Sequence, residues 1–135
     1  MTVHPGRIAR PGIARALPLL TAACLASCAG QPLVPGEPRG VERLVIAPYE
    51  MHEECAQLAA GERLDWRYRA SAPLDFNIHY HEDNAVLSPV VREQSTNDSG
   101  TFEAPLARDY CLMWQAGAPG AIIGYRVLVQ RMRQR

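Results

Sequence analysis

The chain has 135 residues and a formal net charge of zero. It has room for one domain, and it carries no overall basic field that would attract nucleic acid. All 14 basic residues are arginines, and the three that precede the first acidic residue, Glu37, lie in the N-terminal 15 residues. Without that part the remaining domain is mildly acidic. Frequent Pro and Gly with few aromatic residues are typical of a small, turn-rich β protein.

The N-terminal segment predicts export. Residues 1–15 are polar and basic, and residues 16–25 form an apolar run of about ten residues. A run of this length is too short for a transmembrane helix, which needs about 20 residues, but it suits the apolar region of a secretory signal. An ordinary signal peptide that ends near a cysteine and an uncleaved membrane anchor are the alternatives.

The sequence Leu25-Ala26-Ser27-Cys28 that follows resembles the lipobox of bacterial lipoprotein signal peptides. The resemblance implies that residues 1–27 are removed and that Cys28 receives diacylglycerol on its thiol and an acyl chain on its new amino group. Three chains would anchor the protein firmly, whereas one chain binds only marginally. Ala29 stands where an Asp favours inner-membrane retention in such lipoproteins. The resemblance therefore implies the cell envelope, at the outer membrane and facing the periplasm.

Residues 28–40 contain the lipidated Cys28 and a stretch with three prolines and three glycines. Such a stretch holds neither a helix nor an inner strand. It predicts a semi-extended tether without a buried role, followed by one domain over residues 41–135.

Short strand-like runs separated by turn residues fill that domain. The expected strands cover residues 44–47, 64–69, 74–81, 86–91, 101–103, 110–114 and 123–130. Pro89 marks the fourth run as an edge strand, and Ser95–Gly100 is the strongest loop signal. His52–Leu58 favours a helical turn on propensity. About seven short strands without a long helix predict an all-β fold, an antiparallel β-sandwich.

The central strand is Leu74–His81, where apolar and polar residues alternate strictly. Leu74, Phe76, Ile78 and Tyr80 should face the core, and the residues between them should face solvent. Within this strand, the carboxylate of Asp75 is expected to order a neighbouring turn.

Five segments in chain order resemble the GOLD-type β-sandwich between about Leu44 and Val129. They are Ala60-Gly61-Glu62-x-Leu64, Leu74-Asp75-Phe76-x-Ile78, Gly100-Thr101-Phe102, Tyr110-Cys111-Leu112-Met113-Trp114 and Gly124-Tyr125-x-Val127. GOLD domains are binding and cargo-recruitment modules, so the resemblance implies binding and not catalysis.

Two cysteines remain once Cys24 is assigned to the leader and Cys28 to the lipid. In an oxidising compartment Cys55 and Cys111 predict a disulfide, with free thiols or metal ligands as the alternatives. A blue-copper site fails because no His follows Cys111.

His79 and His81 are the one close pair of histidines, and their spacing puts both on the solvent face of the central strand, about 7 Å apart. A solvated strand face, a Cu²⁺ or Zn²⁺ site and a pH-responsive partner contact are the three readings. A metal needs further ligands, and the candidates are Asp75, Glu82, His52 and Glu53.

The sequence contains no nucleophile elbow and no Gly-rich phosphate loop. It favours a lipid-anchored envelope protein that binds or scaffolds another envelope protein, without catalysis and without a cofactor. The alternative is a periplasmic Cu- or Zn-binding protein that uses His79 and His81.

Overall fold

The computed structural model describes residues 31–131, and this part of the chain forms six β-strands. They are β1 (Arg39–Ile46), β2 (Met51–Leu58), β3 (Arg63–Glu82), β4 (Ala85–Glu103), β5 (Arg108–Ala116) and β6 (Ala121–Gln130). Every pairing is antiparallel. The predicted all-β, antiparallel class is confirmed. No helix in residues 31–131 has the length and apolarity to cross a membrane.

One curled sheet contains all six strands. Its order is β1-β6-β3-β5-β2, and β4 pairs with the other side of β3. Residues 63–70 of β3 pair with β6, whereas residues 74–79 pair with β5. The exchange of partners falls at Ser71-Ala72-Pro73, where the sequence predicted a break. We call β1, β6 and residues 63–70 the first half-sheet, and β2, β5 and residues 74–79 the second half-sheet.

The core lies between the two half-sheets. In the first half-sheet Leu64, Trp66 and Tyr68 alternate inward, as the sequence predicted. Rings from the two half-sheets meet in the middle: Trp114 stacks on Tyr125 with 4.8 Å between centroids. The other inward residues of the central strands are nearly or fully buried: Leu74, Phe76, Ile78, Leu112, Ile123, Val127 and Val129. Tyr80, which the alternation also placed in the core, is only half-buried.

Three local predictions are wrong. His52–Leu58 is part of β2, because pairing with β5 along its whole length overrides a weak helical preference. Ser95–Gly100 is not a loop but part of β4, paired with β3. The expected runs at 64–69 and 74–81 are one strand, as are those at 86–91 and 101–103. Because two pairs of expected strands are joined and β2 is added, the structure has six strands where about seven were expected.

The end of the expected tether is docked on the domain. Leu33 is 6% exposed, and its backbone N–H donates to the carbonyl of Cys55 at 3.0 Å. The N–H of Gly36 donates to the carbonyl of Val129 at 2.8 Å, and β1 already begins at Arg39. The expectation of a segment without a buried role is therefore wrong for Leu33. The signal peptide, Cys24 and Cys28 lie outside the described residues.

Candidate functional site

The outer face of the second half-sheet carries the predicted disulfide. Cys55 and Cys111 are direct cross-strand partners in β2 and β5, with a Cα–Cα distance of 4.1 Å. Their sulfur atoms are bonded at 2.05 Å. Because both side chains project outward, the bridge ties the sheet edge β2 to its neighbour without taking space from the core.

The histidines lie beside this bridge, on the same outer face. His79 is directly opposite Cys111 and is only 5% exposed, so the prediction of a solvated His79 is wrong. Its Nδ1 is 2.8 Å from Oδ1 of Asn77, and its ring is 5.4 Å from that of the exposed His81. The side chains near it are Asn77 and His81 from its own strand and Glu53 from β2. The alternation along β3 does not predict this burial.

Burial lowers the pKa of His79 below its ordinary value of 6.5, and the nearby His81 also lowers it. The carboxylate of Glu53, with Oε1 3.7 Å from Nε2, acts in the opposite direction. The imidazole is therefore held in its neutral form at neutral pH.

One of the four candidate additional ligands lies near the histidine pair. Glu53 contacts His79. Glu82 is paired with Arg108, and Asp75 accepts hydrogen bonds from Gln94. His52 points to the other side of the sheet, against Trp114 and Tyr125. Within residues 31–131 no group of three or more His, Cys, Asp or Glu side chains is placed to hold a metal ion.

Asp75 does order a neighbouring backbone segment. Its Oδ1 accepts from the backbone N–H of Gln94 at 2.9 Å and from the side-chain amide at 3.1 Å. Gln94 has a φ of 49°, which non-glycine residues seldom adopt. The carboxylate holds β4 in this strained conformation, where its register against β3 shifts.

A buried polar cluster, which the sequence did not predict, joins the two half-sheets. Glu54 in β2 is 7% exposed. One carboxylate oxygen accepts from the hydroxyl of Tyr125 in β6, and the other accepts from Arg39 in β1 at 2.7 Å. Since Tyr125 donates to Glu54, its oxygen accepts from Nε2 of His52 at 2.9 Å. Burial and the bond to the Glu54 carboxylate raise the pKa of Tyr125.

This cluster is a structural link. Arg39 also donates to the carbonyls of Gln31 and Pro32, so a single guanidinium ties the docked N-terminal segment to β2. Each oxygen of the buried Glu54 carboxylate accepts from a donor on the first half-sheet, so the carboxylate holds the two half-sheets together. The only sequence signal was a Glu at an inward position of what proved to be a strand.

Two turns meet at one end of the molecule, and large apolar side chains in and next to the first of these turns are exposed. The backbone N–H of Tyr49 in the β1–β2 turn donates to the carbonyl of Gly117 in the β5–β6 turn at 3.3 Å. Tyr49 is 71% exposed, and Val45 and Met51, which flank this turn in β1 and β2, are 69% and 53% exposed. We call these three residues, with Pro48 and Pro119, the apolar end.

The geometry of the apolar end is fixed. Tyr49 has a φ of 63°, a left-handed conformation that costs a non-glycine residue about 1 kcal/mol or more. Gly120 also has positive φ, and a Cβ there would lie 2.9 Å from the carbonyl oxygen of Ile46. The contacts between the two turns therefore hold an exposed aromatic side chain on a strained, well-defined backbone.

Comparison with known proteins identifies a shared fold and no family. No protein-family model matches the chain, and no curated protein matches it. A solved structure, that of Aeromonas hydrophila PliG, a periplasmic lysozyme inhibitor of g-type lysozyme, matches with a TM-score of 0.55 and 12% sequence identity. The match covers 73% of this chain and 96% of that chain. At this identity the likeness shows the fold alone.

Proposed function

We propose that the protein is a lipid-anchored cell-envelope protein whose β-domain binds another protein and does not catalyse a reaction. The observation that carries the proposal is the apolar end, with three large apolar side chains more than half exposed around two joined turns. Exposed apolar surface at a defined place marks interaction sites. Tyr is also among the residues that most often dominate the binding energy of protein interfaces.

The likeness to PliG supports a particular class of partner. PliG is a periplasmic inhibitor of g-type lysozyme, and nearly all of its chain matches this fold. We propose that a lysozyme, first of all one of the g-type, binds at the apolar end, with Tyr49 as the central contact. The same likeness supports two further parts of the proposal: the protein is located in the periplasm, and its binding inhibits the lysozyme.

Titration of a g-type lysozyme with the purified full-length protein tests this proposal. We expect saturable binding and loss of cell-wall lysis. Tyr49→Gly should weaken binding about tenfold or more. Glycine adopts the φ of 63° without strain, so this variant should fold at least as stably as the wild type. Val86→Ala, at an exposed apolar residue of the β3–β4 hairpin, is the control and should bind normally.

Full lytic activity at a large excess of the protein would overturn the inhibitor proposal. The broader proposal of a protein partner would still be testable, by cross-linking and pull-down from an envelope extract. If the extract yields the same partners with wild type and with Tyr49→Gly, the apolar end is not the binding surface.

Anchoring through Cys28 is a separate part of the proposal, supported by the lipobox resemblance of residues 25–28. Cells grown with labelled palmitate should incorporate the label into the wild type, and Cys28→Ser should remain unprocessed and unlabelled. Label in the Cys28→Ser variant, or none in the wild type, would contradict the anchor. The resemblance to GOLD domains stays a prediction.

The Cu- or Zn-binding role of His79 and His81 also stays a prediction. The closeness of the two rings and the position of Glu53 are the observations in its favour. Titration with Cu²⁺ or Zn²⁺ should show one-to-one binding that the double variant His79→Ala/His81→Ala abolishes. A wild type that binds neither ion below millimolar concentration would remove this role.

A further inference from the structure

A groove of ≈ 1100 Å³ lies on the outer face of the first half-sheet, and Tyr49 is not among the residues that line it. Five arginines line it, and one of them, Arg39, is paired with Glu54. The other four are Arg43 from β1, Arg67 and Arg69 from β3, and Arg126 from β6. All four are exposed. None of these four forms an ion pair within residues 31–131. In the same part of the chain, four other arginines each pair with a carboxylate: Arg39, Arg63, Arg92 and Arg108.

The strand register concentrates this charge. Arg67 is directly opposite Arg126, and Arg69 is two residues further along the same face. Like charges directly opposite each other destabilise a sheet. Of the two carboxylates that line the groove, Asp98 is already bound to Arg92 at 3.2 Å, which leaves Glu42 against four arginines. The groove therefore has a net positive charge.

The floor of the groove is bare backbone. Gly40 is opposite Arg126, and Gly124 is opposite Arg69. A Cβ at Gly124 would lie 2.9 Å from the carbonyl oxygen of Glu42, so the close approach of β1 at its bulge excludes a side chain there. The glycine positions keep open the space between the arginine side chains.

Polar uncharged side chains border the arginines on the β4 side. Ser99 is opposite Arg67, and Asn97 is opposite Arg69. The groove thus offers guanidinium groups, which bind oxyanions in a bidentate manner, next to a hydroxyl and an amide that can bind sugar hydroxyls.

We infer that this groove binds an anionic oligosaccharide, with Arg67, Arg69 and Arg126 contacting its phosphate or carboxylate groups. The side chains of Arg67 and Arg69 leave the strand about 7 Å apart, a spacing that fits successive charged groups on an extended glycan. The inference does not depend on a protein partner, on the lipid anchor or on the apolar end.

Two other anionic occupants fit less well. An extended acidic peptide gains its affinity by adding to a free strand edge, but Arg67, Arg69 and Arg126 stand on β3 and β6, inner strands that are paired on both sides. A bilayer surface offers phosphate groups to the arginines but no row of sugar hydroxyls for Ser99 and Asn97.

Calorimetric titration of the purified full-length protein in neutral detergent tests the inference, with a heparin-derived octasaccharide as the probe. We expect saturable binding that weakens with added salt. The groove variant Arg67→Ala/Arg126→Ala should bind about tenfold or more weakly, because two charge-assisted contacts are lost. The control variant Arg63→Ala/Arg131→Ala removes the same charge outside the groove and should change binding less than about twofold.

The melting temperature separates lost binding from lost folding. Because Arg67 and Arg126 face each other, the groove variant should melt at the wild-type temperature or above it. Equal weakening in the two variants would overturn the inference, as would equal binding of an uncharged chitin oligosaccharide. Binding to phosphatidylglycerol vesicles or to inorganic phosphate without binding to the octasaccharide would also overturn it.

Discussion

The outer faces of the two half-sheets differ in how their polar groups are satisfied. On the second half-sheet, His79 is bonded to Asn77 and Asp75 is bonded to Gln94, beside the disulfide. On the first, the described structure leaves Arg67 and Arg126 facing each other without a carboxylate partner. Both faces belong to one sheet and share β3 and β4. This difference is the basis of our proposal that the first face binds a ligand, whereas the second face supports the fold.

Removal of the disulfide should have the largest effect on stability, and it tests whether the second face supports the fold. Cys55→Ala/Cys111→Ala opens a loop with a sequence separation of 56, and the chain-entropy estimate for such a loop is about 4 kcal/mol of lost unfolding free energy. Denaturant unfolding measures the loss. Hydrogen exchange should increase first in β2 and β5. A loss under about 1 kcal/mol, or faster exchange confined to β1 and β6, would contradict a supporting role for the second half-sheet.

The link between the half-sheets gives the next largest effect. Arg39→Ala leaves the buried carboxylate of Glu54 with Tyr125 as its remaining donor, and it releases the docked N-terminal segment. We expect a loss of about 2 kcal/mol, since breaking a largely buried pair strands a charge. Arg63→Ala is the control, because its pair with Glu103 is exposed on both sides and should contribute at most about 1 kcal/mol. Equal losses would show that the cluster does not join the half-sheets.

The free energy of unfolding should change in opposite directions when one polar side chain is removed from each face. Asp75→Ala should lose about 1–2 kcal/mol, because Gln94 loses its acceptor in a strained conformation. Arg126→Ala should gain a few tenths of a kcal/mol, up to about 1, through relief of the repulsion with Arg67. Thermal unfolding of both variants measures the two changes in stability. Destabilisation by Arg126→Ala would mean that the arginine face is structural.

The smallest effect is a pH dependence from His79. Its pKa is lowered in the folded protein, so the unfolded chain binds more protons at acidic pH. Its contribution to stability is complete above a pH of about 6.5 and is lost as the pH falls from there through the folded pKa. His79→Gln should flatten this acid limb of the stability curve. His81→Gln, at the exposed neighbour, is the control, and an unchanged limb in His79→Gln would contradict the assignment.

Alternation along single strands predicted much of the fold. It placed Phe76, Ile78, Trp114 and Tyr125 in the core, because side-chain direction in a strand has a fixed period of two. The predicted break at residues 71–73 is wrong, because β3 is continuous there, but it coincides with the point where β3 exchanges partners. Propensity failed for β2 and for residues 95–100, since pairing with a distant strand outweighs a weak local preference.

The features that bear on binding depend on contacts between distant residues. His79 lies opposite Cys111 of β5 and near Glu53 of β2, which the pattern of β3 does not reveal. Glu54 meets Tyr125 across a separation of 71 residues, and Arg67 faces Arg126 only once the register is known. The exposure of Tyr49 follows from the meeting of two turns. The disulfide was predictable because the compartment and the number of remaining cysteines restrict the pairing.

The most direct test of the account is the affinity of the full-length protein for a g-type lysozyme, measured side by side for wild type and Tyr49→Gly. The account predicts saturable binding by the wild type, loss of lytic activity, and binding about tenfold or more weaker in the stably folded variant. Equal affinities in the two proteins, or no binding by the wild type, would contradict a lysozyme partner held at the apolar end.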